Sequence, residues 1–226
     1  MNPFVCYFVV PLIALLLPLV DANRETKFCV LTSPDSCKGN IRYFIGTNSW
    51  GINDGSTGSC DLRASVPTLA DLDNTGTLDA VLGGNCDGTL RYYKNTGTVT
   101  DPQFTKITVN SPFDGKNFGS QSSPALVNLA GNGLKDLVVG WGGGTLHYYK
   151  NVGTKSSPSF TLQSGSQSPF DGINVTACSK PTFVDLDADG DQDLVVGNQP
   201  GALAFYVNAG TPANPSFTLR DGDGNN

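Results

Sequence analysis

The 226-residue chain is predicted to be all-β, a β-propeller of four-stranded antiparallel blades with three blades complete and one partial. Three observations carry this prediction. The first is a repeat. SVPTLADLDNTGTLDAVLGGNCDGTLRYYKNTGT at 65–98 returns as SSPALVNLAGNGLKDLVVGWGGGTLHYYKNVGT at 122–154 and as SKPTFVDLDADGDQDLVVGNQPGALAFYVNAGT at 179–211, with Pro67, Pro124 and Pro181 each 57 residues apart. The second is the content of each unit: four short apolar segments between turn residues, at 181–184, 194–197, 202–207 and 216–219 in the third, which suit a four-stranded sheet. Leu-Val-Val and Leu-His-Tyr-Tyr place apolar atoms on both faces of such a sheet, so it needs a neighbour on either side, and radial stacking supplies one. The third is composition, where 27 Gly and 14 Pro with few charges favour short strands and turns over stacked helices.

In chain order, residues 1–22 read as a cleaved secretory signal: an apolar run at 4–20 is followed by small residues at Val20 and Ala22. An uncleaved anchor is the alternative, and Pro11 and Pro18 make it a poor spanning helix. The mature protein is then secreted and extracellular, without membrane insertion. Export permits disulfides among Cys29, Cys37, Cys60, Cys86 and Cys178, an odd number, and the sequon at Asn174 fits a glycoprotein. Residues 23–62 form a partial leading blade, in which Gly39 to Phe44 match Gly88 to Tyr93 while the first strand and acidic loop are missing. Blades follow at 63–110, 120–165 and 177–220, and SPFDG recurs between them at Ser111 and Ser168. The net charge of −6 argues against nucleic acid or an anionic membrane surface as partner.

The stretch VDLDADGDQDLVVGN concentrates five aspartates between Asp185 and Asp193. Two unit charges about 4 Å apart repel by roughly 4 kcal/mol at an effective dielectric near 20, so converging carboxylates call for a cation. An all-oxygen set with no His or Cys beside it suits a hard ion such as Ca²⁺. An EF-hand does not fit, because its twelfth loop position would be Val196 and the flanks are strands. The other reading is that the aspartates are only turn formers.

The repeating unit, with DLDADGDQD at its centre, resembles the FG-GAP or VCBS repeats of integrin α-subunit-like β-propellers over about residues 28–220. The resemblance implies a calcium loop between the first two strands of a blade, with carboxylates from Asp185, Asp187, Asp189 and Asp193, the backbone carbonyl of Asp191, and the sharp turn at Gly190. It implies a weaker site in DLDNTGTLD, where Asp71, Asp73 and Asp79 remain, Thr75 offers a hydroxyl and Thr77 a carbonyl. NLAGNGLKD, with Asn128 and Ala130 at the first two positions, is expected to fold without metal.

The calcium loops define one end of the blades, so residues 85–88, 141–144, 198–201, 110–120 and 166–178 are expected to share the other, where integrin-like propellers bind partners. Trp141 there either stacks on a sugar or partner side chain or covers a neighbouring blade. Cys60, Cys86 and Cys178 map to the same end, which suggests a Cys60–Cys86 bridge. No GxSxG elbow or catalytic set emerges, and the only histidine, His147, reads as a strand residue. The expectation is a non-enzymatic module for extracellular recognition or adhesion, its calcium mainly structural. Alternatives are a carbohydrate-binding lectin and a non-catalytic accessory module of a secreted hydrolase. The partner is an extracellular protein or glycan, with self-association a further way to complete the propeller.

Overall fold

The computed structural model describes residues 41–45, 48–52, 66–83, 88–211 and 214–220. The signal segment, the Cys60–Cys86 pairing and most of the leading blade lie outside the described residues. What is described of that blade is an antiparallel hairpin, β1 (Ile41–Ile45) with β2 (Asn48–Ile52).

Three four-stranded antiparallel sheets follow, each ordered as its strands occur in the chain. The first contains β3 (Val66–Ala70), β4 (Asp79–Gly83), β5 (Arg91–Asn95) and β6 (Phe104–Ile107). The second contains β7 (Ser123–Val127), β8 (Asp136–Gly140), β9 (Leu146–Asn151) and β10 (Phe160–Gln163). The third contains β11 (Lys180–Val184), β12 (Asp193–Gly197), β13 (Leu203–Asn208) and β14 (Phe217–Arg220). The strands predicted in the third unit are reproduced within one residue. One small shift matters, since β12 begins at Asp193 and not at Leu194, which carries the last acid of the loop into the sheet interior.

The sheets pack face to face with first strands adjacent, β3 beside β7 and β7 beside β11. Each gap is filled in the same way. Val81, Leu90 and Tyr92 of the first sheet meet Leu137, Val139 and Tyr149 of the second, and Val138, Leu146 and Tyr148 of the second meet Leu194, Val196 and Tyr206 of the third. Each such side chain, fully buried, stabilises the fold by about 1.5–3 kcal/mol. The SPFDG segment is a wedge between sheets, a role its recurrence alone did not reveal. Phe113 stacks on Phe160 with centroids 5.4 Å apart, and Phe170 stacks on Phe217 at 4.9 Å.

Backbones also touch across these gaps. A Cβ on Gly83 would stand 2.0 Å from the carbonyl oxygen of Ser122, and one on Gly140 would stand 2.1 Å from that of Ser179. At Gly197, the third position of this series, the nearest atom would be 3.6 Å away. No sheet among the described residues covers that side. Leu72, Leu90 and Tyr92 are 3%, 7% and 7% exposed and Leu129, Leu146 and Tyr148 are 4%, 7% and 7%, whereas Leu186, Leu203 and Phe205 are 51%, 54% and 38%. The fold is therefore all-β, and among the described residues its three four-stranded sheets form an open stack.

Candidate metal centre

The three hairpin loops between first and second strands share one backbone. The fourth loop residue is left-handed (Asn74, Gly131 and Ala188 at φ 57°, 64° and 62°), and so is the sixth (Gly76, Gly133 and Gly190 at 84°, 78° and 95°). An oxygen of the first loop residue accepts the N–H of the sixth: Asp71 Oδ2 from Gly76 at 2.9 Å, Asn128 Oδ1 from Gly133 at 3.1 Å, and Asp185 Oδ2 from Gly190 at 3.1 Å. Asn128 makes this bond without charge, so the turn itself requires no ion.

The ninth position is Asp in all three loops and is buried each time, as Asp79, Asp136 and Asp193. Its Oδ1 accepts the backbone N–H of Asn95, Asn151 or Asn208, at 2.8 Å in each case, which ties the second strand to the end of the third. Those asparagines in turn accept two N–H groups of the following turn, such as Gly153 and Ser159 on Asn151 Oδ1, both at 3.0 Å. Burial raises the pKa of Asp79 and Asp136, and the donated hydrogen bonds oppose it. From the sequence, Asp79 and Asp193 are expected at this position only as ligands. Its persistence at Asp136, in the loop expected to fold without metal, was the available sign of a structural role.

The loops differ in what remains for a cation. In the third, one carboxylate oxygen each from Asp185, Asp187 and Asp193 lies within 4.8 Å of the others. Asp185 Oδ1 is buried without a hydrogen-bond partner, a costly state that a bound cation would relieve. Asp189 stands exposed, its Oδ1 accepting the N–H of Asp191 at 2.9 Å, and neither belongs to the trio. In the first loop, Asp71 also accepts the Thr75 N–H at 3.0 Å, and the Thr75 hydroxyl lies 2.9 Å from that of Thr77. Lys94 Nζ lies 2.6 Å from Asp73 Oδ2. Burial works to raise the pKa of Asp73, but the bonds from Lys94 and Thr75 outweigh it and the net shift is downward.

At the other end, the segments expected to share a face are hydrogen-bonded to one another. Phe118 N–H donates to Gly88, Gly142 to Ser120, Val175 to Gly144, and Gln199 to Ala177. Trp141 is committed within this end: its ring stacks on His147 at 5.5 Å, its Nε1 donates to Thr145 Oγ1 at 2.8 Å, and Gly119 and Gly143 leave room for it. These partners belong to Trp141's own repeat, so the ring packs along its own third strand. Cys178 is buried, with Sγ 2.7 Å from Gln121 Oε1. Beside them a cleft of about 470 Å³ is lined by His147, Gln163, Ser164, Ser168, Asp171 and Asn174 among others. A comparison with models of known protein families finds no match to this chain, and none of the curated proteins matches it.

Proposed function

We propose that the protein is a secreted, calcium-binding module of the β-propeller type, used in extracellular recognition or adhesion, with a mainly structural ion in the loop 185–193. One observation carries the reading: three carboxylates converge, and the buried Oδ1 of Asp185 has no donor. The donor set is entirely oxygen and anionic, which suits Ca²⁺ better than a softer metal. Extracellular modules of this kind hold calcium with Kd on the order of 10⁻⁴ to 10⁻³ M, and binding the folded state alone raises its stability by mass action. Titrating CaCl₂ into chelator-treated protein should raise the melting temperature. Asp185→Asn should abolish the shift, and an unshifted wild-type melt at 10⁻² M Ca²⁺, on the order of ten times the weaker Kd, refutes calcium binding.

A partner protein is expected at the end opposite the acidic loops, where turns and connections converge on one face. The cleft beside His147 favours a second reading, a glycan ligand, because polar side chains line it on an apolar floor of Leu146, Phe170 and Ile173. A glycan array without a hit that Gln163→Ala removes would eliminate it. The role of accessory module to a secreted hydrolase gains no support from any side chain described here.

A further inference from the structure

The three repeats differ at two positions on their third strands, and these differences follow the acids. Tyr92, Tyr148 and Phe205 occupy one position, and Lys94, Lys150 and Val207 the position two residues on. In the first repeat, Tyr92 OH donates to Asp79 Oδ2 at 2.8 Å and the N–H of Leu72 donates to the same atom at 3.3 Å. A carboxylate oxygen has two lone pairs, so this one has none left for a metal. Asp73 Oδ2 has no other hydrogen-bond donor, and the Lys94 ammonium lies against it. In the third repeat, Phe205 offers no hydroxyl, and among the described residues Asp193 Oδ2 accepts only the Leu186 N–H, at 2.9 Å. Val207 brings no charge to that loop.

We infer that the third strand decides which loop takes a metal ion: in loop 71–79 the Lys94 ammonium and the Tyr92 hydroxyl fill the places a cation would use, whereas Phe205 and Val207 leave loop 185–193 open. The inference rests on the calcium reading of that loop. Lys94 is thus a tethered counter-ion that lets the first loop keep its acids without metal. The second repeat is the control. It retains Tyr148, bonded to Asp136 Oδ2 at 3.1 Å, and its Lys150 is exposed where the loop has lost its first two acids.

Exchanging these residues tests the inference. Phe and Val are already accommodated at the matching places of the third sheet, and the amides of Gly76 and Gly190 report each loop separately by NMR. In wild-type protein Ca²⁺ should shift Gly190 and leave Gly76 unmoved. In Tyr92→Phe/Lys94→Val both should shift, with apparent Kd at loop 71–79 tightened at least ten-fold. The single variant Lys94→Val, which leaves the core tyrosine in place, should give the same change at smaller size. Phe205→Tyr/Val207→Lys should weaken the Gly190 response at least ten-fold. A wild-type Gly76 that titrates alongside Gly190, or a Gly76 that stays still in both variants lacking Lys94, overturns the inference and leaves calcium at 185–193 standing. A silent wild-type Gly190 beside a responsive Gly76 in the variants removes the calcium reading of loop 185–193 and supports the role of Lys94.

Discussion

Single residues in this protein carry structural duties that the sequence does not display. Asp193 reads as a ligand, yet its burial and its bond to the Asn208 N–H make it a strand clamp, as the matching Asp136 is in a loop with no trio. The three acids of the trio stood in the sequence within a larger set that a resemblance implied, and the exclusion of Asp189, whose carboxylate accepts the N–H of Asp191, is not encoded in that pattern. His147 shows the same limit. Its strand position was readable, whereas its stack on Trp141 depends on a glycine turn folding back. Burial lowers the His147 pKa, so its share of stability is fully present above the unfolded value of about 6.5 and is lost as pH falls through the lower folded value. Urea titrations at each pH should give a wild-type denaturation midpoint that falls between pH 7 and pH 5, and His147→Gln should flatten that fall.

At the level of elements, the repeat made strands and turns visible, since Pro, Gly and Asn recur at fixed places and β-branched runs lie between them. What it did not reveal is how sheets meet. SPFDG looked like a connector, and only packing shows Phe113 and Phe170 as wedges that stack on the last strand of the following sheet. The glycines ending the second strands are contact points in two cases and open in the third. Gly140→Ala therefore forces the second and third sheets apart and should cost about 1–3 kcal/mol or more, as overpacking does. Gly197→Ala meets no atom closer than 3.6 Å and should stay within about 0.5 kcal/mol of wild type. Equilibrium urea denaturation of the pair decides between these outcomes.

For the molecule as a whole, the period predicted a series of like units and the apolar strands predicted that each would seek two neighbours. The structure keeps the series and leaves the last face open, at Leu186, Leu203 and Phe205. Apolar surface grouped in this way marks an interaction site, so self-association through that face is the expected consequence. Sedimentation velocity should show concentration-dependent growth in mass for the wild type and none for Leu203→Asp. A wild type that stays monomeric throughout sets self-association aside.

The loop richest in acids belongs to the third sheet, whose outer face no sheet among the described residues covers. In a row of units held mainly by nearest neighbours, such a terminal member is the first to fray. An ion gripping the Asp185 hairpin would act as a rivet at the loose end. Calcium would then govern how much of the row stays assembled, and its withdrawal would peel the third unit away while the first two, each tied by its own tyrosine to the buried aspartate of its second strand, kept their shape.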